Sequence, residues 1–354
     1  MRARAGQTSE KTPIQFGRRG LRAALAGRRA LERADQLLAP IAPTDRPGLI
    51  VFVFHCVFAD EAEVDSGLID PHERATPEGL SRLFAYFRDH GYRFVSAGEI
   101  DRGLPPGGHY AHLTFDDGFA NNLRLLELLA REGVHATVSV SVNHVRYGTA
   151  FWWNVVYRER HRRGQQAIVA PEYARLRRMK ADEVNRHLSS EFGPQALKAI
   201  GDVDRPLTGG ELRQMAASPW IEIGNHTLDH AVLPAYPLAE AEAQISGAQD
   251  WLRETVGEAP FFIAYPNGDA DAGLAEMARR QGLRVGATLV SARNDLPASD
   301  SARLRLGRFR IVLDRRERAK MRAVRSSLQL AAATRRLVVG RRWGDPPSAV
   351  EEPT

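Results

Sequence analysis

Short apolar segments alternate with helix-forming segments over most of this chain, and this alternation constrains the fold more than any other feature. The apolar blocks include LIVFVFHCVF (residues 49–58), HATVSVSV (135–142) and FFIAYP (261–266), each about the length of a buried strand. Helical patterns lie between them, such as the one that begins with Pro77 and ends at Gly91. This order of elements predicts an α/β fold with a largely parallel sheet and helices outside it.

The alternation also suggests how the chain is divided. We predict a basic N-terminal helical extension (1–47), an α/β domain (48–312) and a basic C-terminal helix and tail (313–354). From about residue 147 to 205 the rhythm is interrupted by charged, helical sequence that begins with two tryptophans, and we interpret this stretch as a helical insertion.

Composition excludes several classes of protein. Hydrophobic residues make up 43% and charged residues 26%, as in a folded, soluble protein. No window approaches the roughly 20 apolar residues that cross a bilayer, and the N-terminus lacks the apolar block of a secretory signal. Cys56 is the single cysteine, so no internal disulfide can form, and we expect it to be a buried thiol in a strand. These features favour a cytoplasmic location.

Positive charge is concentrated at the two ends of the chain, which carries a net charge of +6. Arginines are interleaved with apolar residues at helical spacing, near the start (Leu21, Leu25, Leu31) and near the end (Met321, Val324, Leu328, Leu337). Such helices can lie on an anionic membrane surface or meet phosphorylated ligands. They are also compatible with ordinary solvated surface helices. No zinc finger and no interleaved aromatic and basic pattern is present, so we expect no nucleic-acid partner.

Three polar motifs follow predicted strands. Asp116 and Asp117 stand in HLTFDDGFAN, His226 and His230 in IEIGNHTLDH, and a Pro-Gly turn in FFIAYPNGDA. Alone, Asp-Asp-Gly could be a solvated turn. Two histidines four residues apart would face one way if a helix began there, and with a carboxylate they form a common three-ligand set for catalytic zinc. In parallel α/β folds ligands bind at the carboxyl ends of the strands, where these motifs are expected to meet.

The ordered motifs T-F-D-D-G, H-T-x-x-H and Y-P-x-G resemble the polysaccharide deacetylase family, the NodB-homology domain of carbohydrate esterase family 4. The resemblance extends over roughly residues 48–312. It implies a distorted (β/α) barrel that holds zinc through one aspartate and two histidines and hydrolyses N-acetyl groups of sugars. The same ligands also suit cobalt, nickel or iron.

The resemblance also implies a role for each motif residue. Asp117, His226 and His230 would hold the metal, and Asp116 would be the general base. The backbone N–H of Asn267 would stabilise the oxyanion, and Tyr265 and Pro266 would form a wall of the substrate site. Thr114 and Asn225 are expected to hydrogen-bond to the metal ligands and orient them, while Thr227 could instead cap the local turn.

The chain departs from the family pattern at two places. Ala264 stands where many members have an arginine that pairs with the base, and the late segment LRLGRFRIV contains no histidine to act as the general acid. His55, at the end of the first predicted strand, is our candidate for that acid, although it could be an ordinary strand-end histidine. Arg308 could bind a substrate phosphate or carboxylate. Trp152, with Trp153 and Tyr147, could stack on a sugar ring or simply pack.

Two classes of function follow. The first is a zinc-dependent hydrolase that removes an acyl group from an amino sugar of a cell-surface glycan or its lipid-linked precursor. In that case the basic end helices would hold the enzyme at the inner membrane face. The second is a non-catalytic glycan-binding or assembly protein that keeps the fold. O-deacetylation uses the same chemistry and stays open as an enzymatic alternative.

Overall fold

A computed structural model describes residues 46–71, 73–165 and 170–326, together with Ala34. The sheet has eight parallel strands in the order β7-β6-β5-β4-β3-β1-β8, and β2 pairs with β3 beside this path. Their bounds are β1 Gly48–Phe54, β2 Arg93–Phe94, β3 His109–Phe115, β4 Ala136–Val140, β5 Ile221–Asn225, β6 Phe262–Ala264, β7 Val285–Ala287 and β8 Phe309–Arg310.

The segment before β8 links the two ends of the strand order. Backbone hydrogen bonds join Leu306 to Gly286 and Thr288, and Arg308 to Val290, while β8 itself pairs with β1. The sheet therefore curls into a distorted (β/α) barrel, and the fold expected from the sequence is confirmed.

Helices surround this sheet. They are α1 Glu61–Val64, α2 Pro77–Asp89, α3 Ala97–Arg102, α4 Leu125–Glu132, α5 Val142–Tyr147, α6 Trp152–Arg162, α7 Ala170–Leu176, α8 Ala181–Phe192, α9 Gly209–Ala216, α10 Leu238–Val256, α11 Ala272–Arg280, α12 Asp300–Arg303 and α13 Glu317–Arg325. The Thr76 side chain accepts a hydrogen bond from the Gly79 N–H and caps α2, and Gly133 ends α4 in the left-handed conformation.

Strand β1 shows how the sequence fills both faces of the sheet. All seven of its residues are buried. Phe52 and Phe54 pack with α2 and α4 in the largest hydrophobic cluster, whereas Val51 belongs to a second cluster with Phe262 and Ala264 of β6. A parallel strand covered on both faces needs this continuous apolar run, which is the pattern that predicted it.

Residues 226–230 form a turn, and no helix begins there, because Thr227 and His230 adopt left-handed φ angles of 65° and 52°. The expectation that Cys56 lies in a strand is wrong: Cys56 is buried, but it lies two residues beyond the end of β1.

Residues 148–208 contain α6, α7, α8 and a 3₁₀ turn at Pro194–Leu197, where the sequence interpretation placed a helical insertion. A buried ion pair between Arg158 and Asp204 joins the start of this segment to its end. The Arg158 guanidinium also donates to the carbonyls of Ala196 and Lys198, so the segment is held together by its own polar contacts.

The basic ends are only partly described. Of the predicted N-terminal helix, Leu21, Leu25 and Leu31 lie outside the described residues, as do Leu328 and Leu337 near the C-terminus. In α13 the predicted apolar face is confirmed, since Met321 and Val324 are buried against the barrel. Among the described residues, no helix is both long and apolar enough to cross a membrane.

Candidate metal centre

Two neighbouring aspartates follow β3 and face different surroundings. The Asp116 backbone N–H continues the β1–β3 ladder by donating to the Phe54 carbonyl over 2.9 Å. Asp117 then adopts a φ of +78°, a conformation that L residues seldom take, and Gly118 follows with +82°. This turn directs the two carboxylates to separate neighbours, although both are buried.

The Asp117 carboxylate faces two imidazoles. Its Oδ1 lies 3.3 Å from His226 Nε2 and 3.5 Å from His230 Nε2. One ligand atom from each of the three residues lies within 4.8 Å of the others, so the trio expected from the sequence is brought together. Asp117 and His226 are fully buried, and His230 is nearly so.

The trio fits a divalent transition metal. Neither oxygen of Asp117 accepts a hydrogen bond from a described residue, and a buried carboxylate left in this state is costly unless a cation engages it. His226 Nδ1 lies 2.6 Å from the Ala264 carbonyl, and a proton donated there leaves Nε2 as the ligand atom. Burial lowers the pKa of His230 to about 3, which keeps that imidazole in the neutral form that binds metals.

The Asp116 carboxylate faces a cation instead. Arg308 Nη1 donates to Oδ1 over 2.8 Å, and Nη2 lies 2.8 Å from Oδ2. The same Nη1 also contacts Thr114 Oγ1 at 2.9 Å, while Nε donates to the Thr288 carbonyl. Burial alone would raise the pKa of Asp116, but the Arg308 guanidinium keeps it below its ordinary value. Asp116 is therefore ionised at neutral pH and can accept a proton.

Both carboxylates open into one cavity of about 320 Å³, which we call the catalytic cavity. It is lined by His55, Cys56, Ile69, Asp70, Asp116, Asp117, Phe119, Trp153, Asn154, Tyr157, Tyr173, His226, His230, Asn267, Leu289 and Arg310. Metal ligands, a carboxylate base and a further histidine thus share one opening at the carboxyl edge of the sheet, where α/β barrels place their active sites.

Comparison with known proteins agrees with this geometry. The family model described as polysaccharide deacetylase matches residues 104–286, more than half of the chain. This chain belongs to the polysaccharide deacetylase family. The comparison with curated proteins found no match.

Solved structures of this family share the fold. IcaB from Ammonifex degensii superposes with a TM-score of 0.52 at 17% identity, covering 80% of this chain and 99% of that one. The deacetylase PplD from Streptococcus pyogenes, in complex with acetate, gives 0.50 at 18% identity and covers 76% and 95%. A de-N-acetylase from Aggregatibacter actinomycetemcomitans gives 0.51 at 18%, covering 76% and 96%.

The resemblance implied an arginine beside the base at position 264, where this chain has Ala264, and the guanidinium that contacts Asp116 comes from Arg308 instead. Arg308 stands just before β8, and its guanidinium is fully buried against Asp116. The expectation that Arg308 binds a substrate phosphate or carboxylate is therefore wrong, because its donors are directed into the protein. The sequence motifs did not predict this contact between the Asp116 carboxylate and the Arg308 guanidinium.

His55 lies at the mouth of the catalytic cavity with its side chain 20% exposed. Its Nδ1 is 2.8 Å from Glu73 Oε1, and its backbone N–H donates to Glu73 Oε2 over 2.8 Å. Arg310 Nε lies 3.3 Å from the same Glu73 Oε1. A buried carboxylate that holds one imidazole nitrogen fixes the orientation of the ring and the identity of the proton-bearing nitrogen.

Several predicted substrate contacts are placed elsewhere. Tyr265 and Pro266 are buried, and the Tyr265 ring packs among residues of α10 and α11, outside the barrel. Neither residue lines the catalytic cavity, because the alternation of β6 turns Ala264 inward and Tyr265 outward. Trp152 lines a neighbouring cavity, while its neighbour Trp153 lines the catalytic one.

The remaining motif residues have local structural contacts. Asn267 lines the catalytic cavity with a φ of +57°, and its Oδ1 accepts a hydrogen bond from Tyr173. Asn225 donates to the Ile245 carbonyl of α10 and accepts from the Thr227 N–H. Thr227 Oγ1 accepts from the Ala231 N–H and so caps the turn that carries both histidines.

Sequence reasoning missed Glu73 and Tyr173. Glu73 lies in a loop between α1 and α2, and Tyr173 lies in α7 of the inserted segment. No motif marks either residue, since both reach the site only through tertiary contacts.

Proposed function

We propose that this protein is a metal-dependent hydrolase, with zinc as the metal, that removes an N-acyl group, in the first place N-acetyl, from an amino sugar. The observation that carries the proposal is that the two adjacent aspartates face different partners. Asp117 faces two imidazoles and has no hydrogen-bond donor among the described residues, whereas Asp116 is ionised and held by Arg308. Membership of the polysaccharide deacetylase family supports a carbohydrate substrate.

Asp117, His226 and His230 would hold the metal, which when bound would act as a Lewis acid on the acyl group and the attacking water. Asp116 takes a proton from that water as it attacks the carbonyl carbon. His55, oriented by Glu73, gives a proton to the departing amine nitrogen, so that the C–N bond breaks and carboxylate and free amine result. The backbone N–H of Asn267 stabilises the negative oxygen that develops on the acyl group.

The non-catalytic alternative rested on two missing family residues. Arg308 supports Asp116 from a different strand, and His55 offers an imidazole at the cavity from the opposite end of the chain. These two placements support catalysis over a non-catalytic role. O-deacetylation would use the same residues, except that an alkoxide leaving group depends less on the acid His55 than an amine does.

The proposed substrate is an acylated amino sugar of a cell-surface glycan or its lipid-linked precursor, and the proposed location is the inner membrane face. The exposed arginines of the α13 region, Arg315, Arg316 and Arg318, favour contact with anionic lipid. They begin only a few residues beyond Arg310, which lines the catalytic cavity, so a membrane bound there would lie near the substrate opening.

The experiment compares metal content and acetate release in the full chain and three variants. The wild type is expected to hold about one zinc per chain and to release acetate from an N-acetylated amino sugar. Asp117→Asn should lose the metal. Asp116→Asn and His55→Ala should keep it while turnover falls by about 10² or more.

Each contrary result has a separate meaning. Absence of acetate release by the metal-loaded wild type would favour the non-catalytic alternative. Wild-type turnover in Asp116→Asn would remove Asp116 as the base, and wild-type turnover in His55→Ala would remove only His55 from the mechanism. A wild type that retains no metal after zinc is supplied would refute metal dependence. Because Asp116→Asn and Asp117→Asn change neighbouring isosteric side chains, each serves as the folding control for the other.

A further inference from the structure

Two residues of the inserted segment contact the turn that carries Asn267, and no role assigned above explains this contact. The turn follows β6, contains a 3₁₀ helix at Pro266–Gly268 and ends at Asp269, and we call it the Asn267 turn. The Tyr173 hydroxyl of α7 donates to Asn267 Oδ1 over 3.2 Å, and the Arg177 guanidinium contacts the Asp269 carboxylate. Two residues four positions apart thus hold one turn at two points.

Tyr173 is itself held by contacts between α7 and α6. Glu172, its neighbour in sequence, makes a two-pronged contact with Arg160 at 2.6 and 2.7 Å. The Tyr173 ring packs against the Trp152 ring at the start of α6, with 5.4 Å between the centroids. These two contacts fix where the Tyr173 side chain lies, because a two-pronged ion pair and a packed ring each restrict its motion.

The backbone of the Asn267 turn is one that needs support. Asn267 has φ 57° and ψ 8° inside the 3₁₀ helix, and Gly268 follows with φ 70°. The left-handed conformation is unfavourable for an L residue and persists where surrounding contacts determine it. At Gly268 a side chain would collide with the Leu289 backbone, so the turn is packed on that side. The hydrogen bond from Tyr173 restrains the side chain of Asn267.

Both partners of this hydrogen bond line the catalytic cavity. Burial raises the pKa of Tyr173, so the phenol stays protonated at neutral pH and remains a donor to Asn267. Asn267 carries the N–H that the proposed mechanism assigns to the developing negative oxygen. Such a donor acts at full strength only when it points at the position that the oxygen will occupy, so the orientation of this turn bears on the rate.

We propose that Tyr173, assisted by Arg177, is a positioning residue that holds the Asn267 turn with the Asn267 N–H directed at the oxyanion. This inference rests on the mechanism of the proposed function and deepens it, because it gives the inserted segment a part in stabilising the transition state. The phenol acts through Asn267 and not on the reacting atoms.

The test compares Tyr173→Phe with Tyr236→Phe in the zinc-loaded full chain. Each substitution keeps the ring and removes one hydroxyl that links the inserted segment to the barrel, since the Tyr236 hydroxyl accepts from the Ala181 N–H of α8 and not from the Asn267 turn. The substrates are penta-N-acetylchitopentaose and 4-nitrophenyl acetate, which both pass through an oxyanion. Tyr173→Phe should lower kcat at least about tenfold on both, with KM and zinc content unchanged, and Tyr236→Phe should keep wild-type kcat.

A double-variant cycle shows whether Tyr173 acts through Asn267. Asn267→Gly keeps the N–H and tolerates the positive φ, but it removes the oxygen that Tyr173 contacts. We expect kcat to fall in this variant and to fall no further when Tyr173→Phe is added. Arg177→Met should also lower kcat, and Arg177→Lys, which keeps a cation beside Asp269, should restore most of it.

Hydrogen exchange gives a readout that does not depend on turnover. In Tyr173→Phe the backbone amides of residues 267–269 should exchange about fivefold faster, the effect of losing one ordinary hydrogen bond. The amides of residues 226–230, on the turn with the two histidines, should exchange as in the wild type. Equal acceleration in both turns would make Tyr173 a residue of general stability and would overturn the positioning role.

The remaining outcomes separate this inference from the proposed function. Wild-type kcat in Tyr173→Phe, or a further loss when it is added to Asn267→Gly, would overturn the positioning role while amino-sugar hydrolysis stands. Hydrolysis of the aryl ester that depends on Tyr173, without acetate release from any acetylated sugar, would refute the proposed substrate and support the positioning role. A zinc-loaded wild type that hydrolyses neither substrate would overturn both.

Discussion

Asp116 and Asp117 show how two identical neighbouring side chains acquire different chemistry. Burial alone would raise the pKa of both carboxyls, yet both pKa values lie below the ordinary value because a neighbouring group favours the ionised form. For Asp116 that group is the Arg308 guanidinium, and for Asp117 it is chiefly His226, whose Nε2 lies 3.3 Å from Oδ1. A left-handed φ at Asp117 separates the two directions.

The Arg308 contact gives the first prediction. Arg308→Met should reduce kcat by about 10² or more while zinc content stays at the wild-type level, because Asp116 would lose the cation that keeps it ionised and oriented. Turnover at several pH values and metal analysis on the same preparation check this. Breaking a buried ion pair can cost about 3–5 kcal/mol, so thermal unfolding is measured alongside.

Arg308→Lys is the informative companion. It keeps the charge but loses the two-pronged contact with Asp116, and activity between wild type and Arg308→Met is expected. If folded Arg308→Met turned over substrate like the wild type, Asp116 would not need this arginine, and the assignment of its role would fail.

The roles of individual residues could be predicted only where they belong to the ordered sequence motifs. The proposed metal ligands and the proposed base belong to short segments that each follow a strand, so the sequence was sufficient to predict that they lie together. Arg308 and Asp116 are 192 positions apart, and their contact exists because β8 pairs with β1. A contact of this kind forms only when the barrel closes, so no local pattern in the sequence predicts it.

At the level of elements, the proposed metal ligands, the proposed base and Asn267 stand on turns that follow parallel strands. The turns after β3, β5 and β6 all contain non-glycine residues with positive φ, namely Asp117, Thr227, His230 and Asn267. Periodicity predicted the strands correctly, but it did not decide the conformation of the segment with the two histidines, because a spacing of four suits both a helix and this turn. Backbone strain at a site is set by tertiary contacts, which spacing does not reveal.

The second prediction concerns α9, which leads into β5, the strand before the turn that carries the two histidines. Thr208 and Glu211 form a reciprocal capping box, and Arg205 adds a two-pronged contact to Glu211 at 2.7 and 2.8 Å. The same stretch bonds the loop after Asp117, since the Leu207 N–H donates to the Gly118 carbonyl. Glu211→Gln should therefore lower the free energy of unfolding at neutral pH by about 1 kcal/mol.

The pH dependence follows from the Arg205 contact, which lowers the pKa of Glu211 from an ordinary value of 4.5 to about 2 in the folded protein. A lowered folded pKa means that this stabilisation is complete above about 4.5 and is lost as the pH falls towards 2. Denaturant unfolding of wild type and Glu211→Gln should give curves that converge over this range. Glu258→Gln, at an exposed position, is the control and should show no such convergence with the wild type. If the free-energy difference between wild type and Glu211→Gln were also independent of pH, the role of the cap would be contradicted.

Across the whole molecule, the strand order places the exposed arginines of the α13 region and the catalytic cavity at the same edge of the sheet. Helices of a parallel α/β barrel run back from the carboxyl edge of the sheet, so the last turns of α4, α10 and α11 lie at the edge remote from the catalytic cavity. The α13 region begins at the opposite edge, where the Leu313 N–H donates to the carbonyl of Glu73, the residue that holds His55. Its exposed arginines are therefore on the substrate side of the barrel.

This placement gives the third prediction, on the proposed membrane contact. The full chain should sediment with phosphatidylserine-containing vesicles at low salt, and neutralising Arg315, Arg316 and Arg318 to glutamine should weaken the binding by about 10², because each cation near an anionic surface contributes about 1 kcal/mol. The control triple, Arg131→Gln, Arg253→Gln and Arg280→Gln, removes the same charge from exposed positions in the last turns of α4, α10 and α11. It should bind almost as well as the wild type. Equal weakening by both triple variants would show that net charge, and not this face, determines binding. Absence of wild-type binding to anionic vesicles at low salt, where electrostatic screening is weakest, would refute the proposed membrane contact.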